Sequence, residues 1–294
     1  MNGLFVGLTT LDFLYLVAQF PRQNEKIVAL DTEIAAGGPA TNAAITFQFL
    51  GNRATLLSMI GHHPLTSVIR HDLETHQIRH LELDPHWRES PAVSSVIVTQ
   101  NTGERAVISL NATKSQAKID QIPPNILTDI DIVLIDGHQM AISPAIAEEA
   151  KKKNIPIVLD GGSWKPGLEQ LLPWVDYAIC SANFFPPHCS NSTETLNYLV
   201  AQNIPYIAIT KGDQPIQYYT QAEQGEIYIP NIKAVDTLGA GDIFHGAFCH
   251  FILENIKDSS MRENDLIEGL TSAAKIASRA CQSFGTRNWM KENP

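Results

Sequence analysis

Val235-Asp236-Thr237-Leu238-Gly239-Ala240-Gly241-Asp242-Ile243-Phe244-His245-Gly246-Ala247-Phe248 passes from a loop through Gly-Ala-Gly directly into an apolar helical segment. The first turn of a helix exposes unpaired backbone N–H groups and the positive end of the dipole. Small residues let an anion approach that backbone closely. The turn therefore suits negative charge spread over a transferring phosphoryl group. Asp242 lies at the same place, where a carboxylate accepts a proton from an attacking hydroxyl. An isolated G-x-G-D reads equally as a helix cap. The longer D-T-x-G-A-G-D string, followed by an apolar helix, favours the chemical reading. Asp236 and Thr237 precede the turn, where they orient the loop or touch phosphate.

Upstream, Ala36-Gly37-Gly38-Pro39-Ala40-Thr41-Asn42-Ala43-Ala44 is a Gly-Gly turn opening a helix. Pro39 suits the first helical turn, where its missing N–H costs little. The hydrophobic pattern predicts strands over 2–8, 26–35 and 53–60, and helices over 40–50 and 65–76. Residues 91–99 and 105–110 flank the turn Asn101-Thr102-Gly103-Glu104 as a hairpin. From 130 onward, apolar strands at 131–136, 156–160, 176–180 and 205–210 alternate with helices such as 143–154 and 193–203. That rhythm implies a parallel sheet with helices on both faces. A second hairpin is expected over 215–220 and 225–229, and two strong helices over 240–255 and 263–280. The organisation is one α/β domain across 1–294, with a small β element from about 12–36 and 90–110.

D-T-x-G-A-G-D-x-F resembles the C-terminal signature of the PfkB/ribokinase family of carbohydrate kinases. The resemblance implies a ribokinase-like α/β fold with a β-sheet lid. It implies Asp242 as catalytic base, the amides of Gly239, Ala240 and Gly241 as anion hole, and Asp236 and Thr237 on the nucleotide side. The Gly-Gly segment resembles the family's G-G-x-x-x-N-x-A signature, implying that Gly38 and Asn42 hold sugar hydroxyls. Asp12, in Gly7-Leu8-Thr9-Thr10-Leu11-Asp12, matches the early Asp that binds two sugar hydroxyls. A carboxylate suits that task because it accepts without donating. Thr210-Lys211-Gly212 resembles the T-x-G-x-x-G nucleotide loop, with Pro215 where the last Gly is usual, and implies ATP contacts from Thr210 and Gly212. Asn183-Phe184-Phe185-Pro186 keeps the Asn of N-x-x-E and lacks the Glu. Mg²⁺ is then expected on ATP oxygens and water, with no protein metal ligand. The family also brings a monovalent cation such as K⁺, for which Asp236 and the tail from Ala280 to Gly285 are the candidate site.

Composition excludes other classes. Hydrophobic residues make up 44% and charged residues 18%, enough for a large core, and net charge is −10. No basic stripe points to nucleic acid. The cluster Lys151-Lys152-Lys153 reads as a cationic helix end. No apolar run reaches the ~18 residues of a membrane span. Four cysteines without a C-x-x-C pair fit reduced thiols and a cytoplasmic location. His245 reads as a packing residue or an intrahelical contact, His62, His63 and His138 as surface or loop residues, and Arg105 as an exposed strand residue. The expected reaction is ATP-dependent phosphorylation of a hydroxyl on a sugar or sugar-like alcohol, by a homodimer paired through the lid. A nucleoside or vitamin-precursor kinase, or a non-catalytic regulatory relative, is the alternative. The strings G-G-P-A and G-D-x-F-H-G-A resemble a subgroup that includes sulfofructose kinase, while VGLTTLD resembles ketohexokinase, so the sugar stays open.

Overall fold

Short runs without a polar member make strands that bury both faces, and such runs carry the main sheet. The computed structural model describes residues 1–110, 116–255 and 263–291. The first part of the chain carries β1 (Asn2–Val6), β2 (Thr10–Val17), β3 (Asp31–Gly37), α1 (Pro39–Phe49) and β4 (Arg53–Ser58). Next come α2 (Thr66–Thr75), β5 (Arg79–Glu82), β6 (Ala92–Thr99), β7 (Arg105–Ser109), β8 (Ile132–Ile135), α3 (Ser143–Lys152) and β9 (Ile157–Gly161). The remainder holds α4 (Leu168–Leu171), β10 (Tyr177–Ser181), α5 (Ser192–Ala201), β11 (Tyr206–Lys211), β12 (Gln214–Tyr219), β13 (Gln224–Ile227), α6 (Ala240–Asn255) and α7 (Glu263–Ala280).

Nine strands form one sheet in the order β13-β12-β11-β10-β9-β8-β1-β4-β5. The pairs from β11 through β5 are parallel, and β12 and β13 close the far edge antiparallel. Period-two alternation splits each strand between two cores. Phe5, Leu134, Val158 and Ile179 face a layer built with α1, α6 and α7 residues such as Phe47, Phe248 and Leu270. Leu4, Val6, Val133, Ile157 and Leu159 face the opposite layer with Ile146, Leu171 and Leu199. Helices thus cover both faces.

A second sheet, β3-β2-β6-β7, stands apart from the first. The β element expected from 12–36 and 90–110 is this sheet, with two changes. Its first strand already begins at Thr10. The strand expected over 26–35 begins only at Asp31. Arg22 to Glu25 fold into a turn, with the Arg22 N–H donating to Glu25 Oε2 at 2.8 Å and Asn24 at φ 62°. Val28, 84% exposed, has nothing to pack against. The short strand β5 was not expected. Its sequence Arg-His-Leu-Glu has one apolar residue, and it is held by parallel pairing to β4 at the sheet edge.

The chain leaves β1 toward β4 on one side, while β8 begins the run to β9 and β10 on the other. This reversal opens a crevice at the carboxyl ends of the strands, where ligands bind in open α/β sheets. Asp136, just past β8, ties the crevice together. Its Oδ2 accepts from the N–H of Leu8 at 2.8 Å and of Ala40 at 3.2 Å, and its Oδ1 accepts from the N–H of His138 at 2.8 Å. Burial opposes charge on Asp136, but His138, the Leu8 amide and Lys165 outweigh it and hold the carboxyl at about 2.

Candidate active site

α1 starts at Pro39 because Gly38 precedes it at φ 97°, a backbone that L side chains rarely adopt. The turn lays Gly38 against the carbonyl of Leu8, in the loop after β1. One helical turn further on, Asn42 reaches the crevice, and it is 3% exposed. α6 starts at Ala240, after Gly239 at φ 69°. Ala240 N–H bonds back to the Thr237 carbonyl at 3.3 Å, and Ile243 N–H to the Gly239 carbonyl at 2.8 Å. The amides of Gly241 and Asp242 lie in the first turn, where no intrahelical acceptor exists. A Cβ at Gly241 would meet nothing within 4 Å, so the space beside this turn is open.

The two glycine signatures meet at one carboxylate. Asn42 Nδ2 donates to Asp242 Oδ2 at 2.8 Å. Gly239 lies beside both, since a Cβ there would stand 3.4 Å from Asn42 Nδ2 and 3.7 Å from Asp242 Oδ2. Arg287 sets the direction of the amide. Its Nη1 donates to Asn42 Oδ1 at 3.0 Å, so the NH₂ end of Asn42 must face Asp242. Arg287 is 8% exposed; its Nη2 also donates to the Ala36 carbonyl at 2.5 Å and stands 3.6 Å from Asp72 Oδ2. Burial pushes the Asp242 carboxyl up to about 7, the Asp160 charge adds to the rise, and Asn42 and His245 oppose it.

Asp12 projects from β2 and packs against Gly37, and Oδ1 accepts from Thr10 Oγ1 at 2.6 Å. Burial raises its carboxyl, against the hydrogen bonds of Thr10 and Ser94 and the charge of Arg287. The small sheet rests on the loop before α6 and on the segment around Thr286 through polar contacts. Arg105 Nη1 donates to Thr237 Oγ1 at 3.0 Å, and Glu33 Oε1 accepts from the Thr286 N–H at 2.9 Å. Arg105 is therefore not a bare strand residue, although it is exposed.

Asp236 is 3% exposed and braces the loop from below. Its Oδ1 accepts from the Leu238 N–H at 2.9 Å and its Oδ2 from the Gly285 N–H at 3.0 Å. Thr210 and Gly212 lie elsewhere, at the end of β11 and in its turn to β12. Thr210 Oγ1 leans toward the Cys180 carbonyl at 3.4 Å. Among the described residues, neither Thr210 nor Gly212 shares a side-chain hydrogen bond or ion pair with the Asn42–Asp242 group. No group of three or more His, Cys, Asp or Glu among the described residues could hold a metal ion. Arg287, Asp136 and Asp160 escaped the sequence reading because each is a single charged residue whose partners arrive from distant segments. Asp136 and Asp160 each had a local signal: an acid closing an apolar run, Ile132–Ile135 and Ile157–Leu159, toward a strand's carboxyl end.

Residues 3–293 match the family described as pfkB family carbohydrate kinase. The chain belongs to that family. It is 25% identical over 276 residues to a deoxyribokinase of Salmonella typhi, covering 87% of both chains. It is 23% identical over 302 residues to a ribokinase of Bacillus subtilis, covering 98% of this chain and 96% of the other. The fold matches that of Arabidopsis thaliana ribokinase, solved with ribose and ATP, at a TM-score of 0.74 and 21% identity, covering 99% of each chain. As a pfkB family kinase the chain is a phosphotransferase that uses ATP and phosphorylates a sugar or a similar small molecule. No helix among the described residues is long and apolar enough to cross a membrane.

Proposed function

We propose that Asp242 is the base that activates a sugar hydroxyl, with the amides of Gly239 and Gly241, and that of Ala240 on exchanging its long bond to the Thr237 carbonyl, receiving the charge of the transferring phosphoryl group. The observation that carries this reading is the 2.8 Å bond between Asn42 and Asp242, which joins the sugar-side and phosphate-side signatures at one carboxylate. A base titrating near the working pH is best suited to proton transfer, and burial brings Asp242 to about 7. Asp12, Gly38 and Asn42 orient the sugar. Asp242 removes the proton as the hydroxyl oxygen bonds to phosphorus and the bond to ADP breaks. Thr237, Asp236, Thr210 and Gly212 serve the nucleotide side. The sheet of β2, β3, β6 and β7 acts as a lid of one kinase domain and excludes water.

Mg²⁺, when bound, would neutralise the phosphates, held by their oxygens and by water. A monovalent cation such as K⁺ fits Asp236 and the 280–285 segment, because two amides use only part of the carboxylate's capacity. Activity that follows K⁺ concentration at constant ionic strength supports this site; equal rates in K⁺ and in a bulky organic cation contradict it. The lid's outer face presents Tyr15 (37% exposed), Ile34 (49%) and Ile108 (72%), which supports a homodimer through the lid. Four free cysteines support a reducing, cytoplasmic setting.

The test is ADP release from ATP·Mg²⁺ across aldoses, ketoses, polyols, sulfosugars and nucleosides. Release stimulated by a sugar supports the proposal. Release stimulated by nucleosides alone, or by no acceptor, contradicts it.

A further inference from the structure

Beneath the catalytic turn, the ring of His245 faces two carbonyl oxygens. Nδ1 lies 2.7 Å from the Gly241 oxygen, and Nε2 lies 3.1 Å from the Ile179 oxygen in β10. A carbonyl only accepts, so each ring nitrogen must carry a proton to make its bond. A neutral imidazole would set one lone pair against another. His245 is 5% exposed, and a charge so buried requires a partner. Asp160, at the end of β9 and also 5% exposed, stands with Oδ2 3.6 Å from Nδ1. That oxygen has no hydrogen-bond partner of its own.

We propose that His245 is a positioning residue for phosphoryl transfer: a buried imidazolium, paired with Asp160, that ties the Gly241 peptide of the catalytic turn to β10. Gly241 has no side chain to hold it, and open space lies around it. The imidazolium fixes its carbonyl, and with it the direction of the amides at the head of α6. It also sets a balance of charge around Asp242. Facing Asp160 are Cys180 of β10 and Cys249 of α6, and facing Asp242 are the pair itself, the neutral amide of Asn42 from α1 and Asp136 just past β8. Burial pushes both thiols far up, so they stay neutral and carboxylates face the cation. Asp160 raises the proton affinity of Asp242 and His245 lowers it. Removing one member of the pair therefore moves Asp242 one way, and removing the other moves it the opposite way.

This inference extends the reading of Asp242 as base, but its test needs neither substrate nor turnover. Nitrogen NMR of the unliganded protein at pH 8 reads the ring directly, with His245→Gln assigning the signals. Both His245 nitrogens are expected as N–H; a single protonated nitrogen overturns the proposal on wild-type protein alone. Carbon NMR of the Asp242 carboxyl reads the charge balance. Its midpoint is expected to rise by roughly one pH unit in His245→Gln and to fall by a similar amount in Asp160→Asn. A purely structural role would leave the midpoint fixed or move it the same way in both variants, and either result overturns the proposal. If the midpoints move as expected in a protein without kinase activity, only the functional reading fails.

Discussion

At the scale of single residues, the behaviour of Asp242 with pH follows from its surroundings. Burial and the Asp160 charge hold its carboxyl at about 7. The base must be ionised, so kcat/KM is expected to rise with pH through that value and then level off. A profile flat from pH 5 to 8 contradicts the role. Stability runs the other way. The native state keeps a proton on Asp242 that the unfolded chain loses near 3.8, so this residue's contribution falls as pH rises from about 4 to about 7. Asp242→Asn is expected to melt above wild type at pH 8, with the gap closing toward pH 4. Arg287→Met leaves Asp72 partly buried without its cation and frees the Asn42 amide to flip. A loss of about 3 kcal/mol in urea unfolding is expected, with kcat falling. Unchanged values would remove Arg287 from the site. Asp242, Asn42 and Gly38 were legible because each sits in a local string whose glycines dictate backbone shape. Arg287 and Asp160 were not, because their meaning arises only when segments far apart in sequence meet. His245 was legible as an intrahelical contact, through Gly241, but not as the partner of Asp160 and β10.

Among elements, the contact between α1 and α6 brings the two signatures together. Gly246 lies against the carbonyl of Ala43, closer than any Cβ allows. Gly246→Ala adds helix propensity worth ~1 kcal/mol, yet the helices must part to admit the methyl group. A net loss of about 2 kcal/mol is expected by chemical denaturation, together with a lower kcat as Asn42 draws away from Asp242. A stabilised, fully active variant would contradict the packing. The parallel strands β8 to β11 were legible because burial on both faces leaves unbroken apolar runs. The start of β3 and the existence of β5 were not. Residues 26–29 carry β-compatible residues outside any strand, and only Leu30 reaches β2, its N–H donating to the Leu16 carbonyl at 2.7 Å; β5 is an edge strand made by pairing to β4 rather than by its own composition.

For the molecule as a whole, the position of the site is a product of topology. Strand order reverses between β1 and β8, and both helix N-termini with glycine turns, those of α1 and α6, converge above that reversal. The alternation of strands and helices made the parallel sheet legible, but strand order and the docking of the small sheet on residues 284–288 depend on tertiary pairing. The lid carries the expectation of a dimer: Ile108→Glu is expected to shift sedimentation from dimer to monomer, and a wild-type protein that sediments as a monomer contradicts it. The central claim, that Asp242 drives phosphoryl transfer from ATP to a sugar hydroxyl, meets its most direct test in Asp242→Asn. With the best sugar found by screening, kcat is expected to fall by roughly 100-fold to 10,000-fold while calorimetry shows ATP binding retained. A variant that binds ATP and turns over at near the wild-type rate would show that the base lies elsewhere.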